Sequence, residues 1–323
     1  MKTLINGLKI GHAQNDIAKT GLTIFLFANP SLTVAQIRGS APATANFSTL
    51  DPLHGLNLAH GILFTGGSLF GLHSVSGAMQ YLEEQGVGLN LGRIFIPIIP
   101  TCAIFDLTIG DCNVRPDATM AYEACVNASN ELPLMGLNGC GTGSSIGKFM
   151  GIECGMPGGF GYATTKIANT NVEVWTFAVV NAMGDIIDPS SNKVIAGTRT
   201  AIDSTELLDI RTIFDQDQQN VRHLNTDTSS DIQDSMNSIA KPGQNTTLIL
   251  TVTNASLNVM LANKMTDSAH HGLSSCVVPS HTTYDGDLAI CTSLGTEIAD
   301  INTLCYLATK TTKQAIINAV KAI

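Results

Sequence analysis

Pro242-Gly243-Gln244-Asn245-Thr246-Thr247 runs directly into Leu248-Ile249-Leu250-Thr251-Val252. The first half is polar and marked by Pro and Gly, the composition of a loop. The second is apolar and β-branched, the composition of a buried strand. Thr246 stands at the boundary, and a cut between Asn245 and Thr246 would place its hydroxyl and a free α-amine on one residue. A hydroxyl is a weak nucleophile until a base sits beside it, and a terminal amine can be that base. Its ordinary pKa of about 7.7–8.0 leaves free amine available near neutrality. Two plainer readings fit the same residues. Threonine is common where loops become strands, and Asn245-Thr246-Thr247 also matches the acceptor pattern for N-glycosylation.

Composition narrows the setting. The chain has 323 residues, 44% of them hydrophobic and only 13% charged, enough apolar material for a large core. Its net charge of −9 argues against a basic nucleic-acid face. The eight cysteines form no C-x-x-C pair, and Cys102, Cys112, Cys125, Cys140 and Cys154 lie in small-residue, apolar stretches that suit buried free thiols. The N-terminus lacks the long apolar run of a signal peptide, and no apolar run is long enough to span a membrane. A reducing cytoplasm is the expected compartment, which weakens the glycosylation reading.

Strand-like runs occur at Leu22–Phe27, Leu32–Ile37, Gly61–Phe64, Ile94–Ile99, Val172–Asn181, Leu248–Thr253, Ser275–Val278 and Leu288–Thr292. Helical periodicity appears in Ser68–Glu84, where Leu69, Leu72, Val75, Met79 and Leu82 share a face, with Gly86 as its C-terminal stop. Pro116–Asn130, Ser256–Gly272 and Glu297–Ile323 read the same way. Strands and helices mix without steady βαβ alternation, so the expected class is α+β in layers. The acidic, polar segment Ser204–Lys241 suggests a short helix around Leu207–Phe214 and then a mobile loop leading to Thr246.

Glycine-rich motifs exclude several chemistries. In Gly139-Cys140-Gly141-Thr142-Gly143-Ser144-Ser145-Ile146-Gly147-Lys148, five residues separate Gly141 from Gly147-Lys148. Phe149 follows where a nucleotide loop needs Ser or Thr for magnesium. Ser144 stands where a dinucleotide fingerprint needs its third glycine. Gly66-Gly67-Ser68-Leu69-Phe70 lacks the closing glycine of a nucleophile elbow. Ser68 there reads as the cap of the helix that follows, or else the turn lines a pocket. The histidines are scattered apart from His270-His271, so neither a metal nor another cofactor is expected.

The ordered set of motifs resembles the L-aminopeptidase/D-esterase family, which includes β-peptidyl aminopeptidases and the nylon-oligomer endo-hydrolase. The matching stretches are Gly61–Leu72, Ile104-Phe105-Asp106-Leu107, Arg115-Pro116-Asp117-Ala118, Gly141-Thr142-Gly143 with Gly147-Lys148, Val180-Asn181-Ala182-Met183-Gly184-Asp185, Asn245-Thr246-Thr247 and His281-Thr282-Thr283-Tyr284-Asp285-Gly286-Asp287. They span most of the chain. The resemblance implies a layered αββα sandwich like that of N-terminal-nucleophile hydrolases. It implies one domain, 1–323, autocleaved between Asn245 and Thr246 into 1–245 and 246–323, with Thr246 as nucleophile. Asn181 matches the family's oxyanion-hole asparagine, and a neutral amide N–H suits that role; by itself, Asn181–Asp185 reads as a hairpin turn after the preceding strand. Asp285 and Asp287 match an acidic pair near the nucleophile. On an extended stretch their i, i+2 spacing shares a face, although Asp-Gly is also a hairpin-turn signal. Tyr122 matches a substrate-pocket tyrosine.

One departure stands out. Relatives carry a lysine before the glycine pair matched by Pro157-Gly158-Gly159. Proline supplies neither charge nor donor, so the expectation is that the Thr246 amine and the Asp pair suffice, that Lys166 reaches in from the next strand, or that activity is weakened. The expected function is an autoprocessed aminopeptidase acting on small peptides or amides. It would need no nucleic acid or membrane, and the resemblance suggests a homotetramer. The alternatives are an endo-amidase on oligoamides and an uncleaved, inactive binding protein on the same fold.

Overall fold

A computed structural model describes residues 3–216 and 244–323. The strands of its main sheet are β1 (Leu8–Asn15), β2 (Thr20–Ile37), β3 (Ala43–Ala45), β4 (Leu58–Thr65), β5 (Thr101–Ala103), β6 (Gly159–Lys166), β7 (Glu173–Asn181), β8 (Thr246–Ala255) and β9 (Leu288–Glu297). The helices are α1 (Ser68–Gly71), α2 (Val75–Glu84), α3 (Ala118–Val126), α4 (Ile210–Gln216), α5 (Val259–Ser274) and α6 (Ile301–Lys321). The main sheet runs β6-β7-β8-β9-β2-β4-β5-β3, with β1 on β2.

Strand β2 turns this sheet into a sandwich. It is 18 residues long, and its exposed middle, Ala28-Asn29-Pro30, shifts the register against β4 between Leu26 and Ser31. The first half pairs with β1 and β4, and the second half pairs with β9 while Ser31 and Leu32 still reach β4. Alternation along each strand then supplies two faces. Phe25 and Phe64 from one half meet Phe177 from the other in the central core, with Phe25 and Phe177 rings 5.3 Å apart. Leu22, Ile24 and Leu63 face outward onto α2 and α3. Ala178 and Ile249 face outward onto α5 and α6. The order helix, sheet, sheet, helix is the expected αββα arrangement.

Several local expectations shift for physical reasons. The run Ile94–Ile99 forms only a two-residue strand, because Pro97 and Pro100 remove ladder donors. The Ser68–Glu84 helix breaks into α1, a 3-10 turn at Leu72–Ser74, and α2, so Leu69 is turned out to solvent. Ser68 does not cap: Gly67 takes the N-cap position, and Ser68 itself has φ +53°. Asn181–Asp185 is not a hairpin turn. Asp185–Asp188 leaves the main sheet and pairs with Lys193–Ala196 and Val277–Val278. Cys112 is exposed in a loop, and Cys154 is half-buried at the end of a short 3-10 turn, Ile152–Cys154. The short helix in the acidic segment is α4. The mobile loop expected after it, residues 217–241, lies outside the described residues.

Candidate active site

One end of the central strands of the main sheet gathers the end of β7, the starts of β8 and β9, and the end of β2. Register places Asn181 directly opposite Thr246 and Leu288 opposite both Leu248 and Ile37. On β8, Leu248, Leu250 and Val252 point into the central core while Ile249 points toward α5 and α6. Period-two alternation therefore turns Thr246 into the space between the sheets, where it is 3% exposed.

The Asn245–Thr246 peptide is held in a defined way. Thr246 Oγ1 donates to Asn245 O at 2.6 Å, and the Gly286 N–H donates to the same oxygen at 2.7 Å. Asn245 is fully buried and bridges Asp285 in parallel. No side chain fits at 286: a Cβ there would stand 2.7 Å from both Thr246 Oγ1 and Ala41 O. Glycine is what allows the N–H to approach so closely.

Asn181 and Lys148 form the second wall. Asn181 Oδ1 accepts from the Ser145 N–H at 3.0 Å and Lys148 Nζ at 3.0 Å, while Nδ2 donates to Phe105 O at 3.1 Å and Gln244 O at 3.2 Å. The backbone donor on one side and backbone carbonyls on the other fix which amide atom is oxygen. Lys148 Nζ also donates to Asn181 O at 3.2 Å and Gln244 O at 3.1 Å. Its three oxygen acceptors match the three N–H bonds of an ammonium. Burial pulls the Lys148 pKa down to about 7, and Asp285 opposes that shift. Behind Phe105, the buried Asp106 accepts from Thr20 Oγ1 and the Gly67 N–H, each at 2.7 Å. It ties the Gly66-Gly67 turn to the Phe105 carbonyl that Asn181 uses.

The acidic pair lies in a loop closed on itself. Asp285 Oδ2 accepts from the Thr282 N–H at 2.9 Å and Thr282 Oγ1 at 2.6 Å. Asp287 Oδ1 accepts from the Thr247 N–H at 2.7 Å, and Oδ2 accepts from the His281 N–H at 2.9 Å and faces His281 Nδ1 at 3.0 Å. Both carboxylates are buried. Burial and then the charge of Asp287 push the Asp285 pKa up, against the Thr282 hydrogen bonds and Lys148. Asp285-Gly286-Asp287 is therefore no hairpin turn but the rim of the Thr246 site.

The structure thus brings Thr246, Asn245, Asn181, Asp285 and Asp287 to one place. Among the described residues, no hydrogen bond or ring contact joins Tyr122 to that place. Tyr122 lies on α3, donating its hydroxyl to Glu84 at 2.7 Å with its ring on Tyr81. Lys166 does not reach in. It is exposed at the far end of β6, paired in register with Glu173 and seven residues beyond Gly159, roughly 23 Å along a strand. Pro157 is exposed and pairs with Ser145, so a charge there is not what faces Asn181. Sequence reasoning missed Lys148, although a lone lysine inside Ile146-Gly147-Lys148-Phe149 is an unusual place for an exposed one. It also missed Gly286, whose contribution is a backbone N–H that no side chain advertises. Among the described residues, no group of three or more His, Cys, Asp or Glu could hold a metal ion, and no helix is long and apolar enough to cross a membrane.

Comparison with known proteins bears on the family and the fold. The family model described as Peptidase family S58 matches residues 3–322. An uncharacterised aminopeptidase of Mycobacterium tuberculosis is 28% identical over 301 residues, covering 91% of this chain and 81% of its own. Among solved structures, a β-aminopeptidase from a Burkholderia species superposes with TM-score 0.66 at 16% identity, over 98% of this chain and 85% of its own. The L-aminopeptidase D-Ala-esterase/amidase of Ochrobactrum anthropi, described as a variant of the Ntn-hydrolase fold, gives TM-score 0.66 at 13% identity with the same coverage. At those identities the structural likeness speaks for the fold.

Proposed function

The chain belongs to peptidase family S58 and is a hydrolase, and on that premise we propose that it is an aminopeptidase that makes its own nucleophile by cutting Asn245–Thr246. The observation that carries this is the convergence of the Thr246 hydroxyl and the Gly286 N–H on the Asn245 carbonyl oxygen.

In the uncut chain, Thr246 Oγ1 attacks the Asn245 carbonyl carbon. Negative charge develops on the carbonyl oxygen, where the Gly286 N–H already points; a preplaced donor is worth most at that moment. The C–N bond breaks, the Thr246 nitrogen takes up the hydroxyl's proton, and the acyl group rests on Oγ1 as an ester. Water hydrolyses that ester, leaving a carboxylate on Asn245 and a free α-amine on Thr246. The amine then serves as base for the hydroxyl beside it. Departure of Gln244 frees one N–H on Lys148 and one on Asn181, both of which grip its carbonyl in the uncut chain. Those donors are available to an incoming peptide or amide. The aminopeptidase reading of the substrate follows the relatives' descriptions.

Intact-mass measurement of purified protein tests this. Fragments 1–245 and 246–323 are expected, and Thr246→Ala is expected to remain one full-length chain. An uncut wild type, a cut elsewhere, or a cut in the alanine variant overturns the proposal.

A further inference from the structure

His281 sits at the opposite end of the acidic loop from Asp287 and touches no reacting atom, yet its backbone departs from the ordinary. Its φ is +56°, the left-handed region in which few residues other than glycine are at ease. From that conformation it grips one oxygen twice. Its own N–H and its Nδ1 both meet Asp287 Oδ2, at 2.9 and 3.0 Å. The second Asp287 oxygen takes the Thr247 N–H, one residue beyond the nucleophile. The imidazole is seated against His270, with ring centroids 4.9 Å apart and planes at 72°. His270 is fixed by its Nε2, which donates to Gln36 O at 3.2 Å. Burial holds His270 down to about 4, so the ring packed on His281 is neutral near neutral pH. His281 Nε2 is buried with no partner among the described residues. The ring's one polar contact is therefore Nδ1–H toward Asp287.

We propose that His281 is a positioning residue for the reaction at Thr246: the His281–Asp287 couple fixes the loop that aims the Gly286 N–H at the scissile carbonyl. The inference rests on the self-cleavage reading above. Asp287 cannot turn without releasing Thr247, and the loop cannot slide without moving Gly286, whose neighbours leave no slack. A histidine that donates through Nδ1 to a carboxylate orients both groups of the couple. Here the oriented member is the carboxylate, and the product of orientation is a backbone donor in place.

The two properties of residue 281, its conformation and its imidazole, separate by substitution. His281→Gly keeps the left-handed backbone and its N–H but removes the ring, and His281→Asn keeps the backbone and returns a side-chain N–H. In His281→Gly, processing after refolding of the full chain and kcat of the matured enzyme are expected to fall roughly ten- to hundredfold, as for a lost hydrogen bond to a charged group. KM should be little changed. Added imidazole or His281→Asn should recover most of the rate. A His281→Gly chain that processes and turns over like wild type overturns the proposal, and so does a loss that neither imidazole nor asparagine repairs. A separate measurement stands apart from catalysis. In uncleavable Thr246→Ala, the Nδ1 proton is expected as a downfield, exchange-protected NMR resonance that vanishes in Thr246→Ala/His281→Gly. Its absence removes the couple, whereas an uncut wild type with the resonance present removes the self-cleavage reading instead.

Discussion

Lys148 carries a charge into the buried interior, among Asn181 O, Asn181 Oδ1 and Gln244 O. Two effects compete there. Burial favours the neutral amine, while the three acceptors and Asp285 favour the ammonium. The acceptors decide the working form, because an amine has only two N–H bonds for three oxygens and would turn a lone pair toward one of them. As an ammonium, Lys148 holds Asn181 Oδ1 so that Nδ2 faces outward to Gln244. With its pKa pulled down to about 7, the ammonium is complete below that value and is lost as pH rises through it. Self-cleavage of refolded chain is therefore expected to slow as pH passes about 7, before the effects of any group with an ordinary lysine pKa. Lys148→Met keeps the stem and removes the donor. Its cleavage should be at least about tenfold slower and should show no break near pH 7. A variant rate equal to wild type, or a break that survives the substitution, removes Lys148 from the reaction. Lys166 was the wrong candidate for a replacement cation, because spacing along a chain does not say which residue a loop folds inward. Thr246, Asn181, Asp285 and Asp287 were legible because they sit in recognisable motifs.

At the level of elements, the strands that build the site were legible from their β-branched composition, and their partners were not. Nothing in Leu22–Phe27 and Leu32–Ile37 announces that both belong to one strand, β2, whose two halves join different sheet layers. The turn reading of Asp285-Gly286 failed for a related reason. A local Asp-Gly signal was overruled by long-range bonds: the Ala41 N–H donates to the Asp285 carbonyl, and the Gly39 and Arg38 N–H groups donate to the Asp287 carbonyl. Those bonds clamp the acidic loop between β2 and β8 and leave Gly286 no room for a side chain. In Gly286→Ala, the new methyl meets Ala41 O at 2.7 Å and Pro42 Cα at 3.1 Å. Both belong to the backbone, so the loop itself must shift. Overpacking of this kind costs about 1–3 kcal/mol of stability. The displaced N–H should cost about a hundredfold or more in cleavage rate, the usual loss for one oxyanion donor. The expected result is a folded chain with a lowered melting temperature that stays uncut for far longer than wild type. Cleavage at the wild-type rate would show that another donor holds the Asn245 oxygen.

On the scale of the whole molecule, the proposed cut falls in an unusual place. The segment after it contributes β8, α5, β9 and α6, and these are not a detachable end. β8 pairs with β7 through eight residues, Val174↔Thr253 to Asn181↔Thr246, and β9 pairs with β2 through six, Leu288↔Ile37 to Ser293↔Leu32. The two strands pair with each other in parallel between them. Residues 246–323 thus form the middle of the main sheet, with strands of the larger piece on both sides. Their apolar faces are covered as well: Leu248, Leu250 and Ile290 lie in the central core, and Ile249, Ala269 and Ile316 in the core under α5 and α6. Separating the pieces would open both ladders and expose both cores at once, so dissociation is equivalent to unfolding. Cutting one peptide bond at the edge removes none of these contacts. It releases only the hold on Gln244 and Asn245. The two fragments are therefore expected to elute together as one species in native size-exclusion chromatography and to melt in one transition. They should part only in denaturant, where a gel shows two bands. Isolated 246–323, expressed alone, should be unfolded. A small fragment that elutes separately under native conditions, or folds by itself, would mean that the central strands pair differently from the order β7-β8-β9-β2.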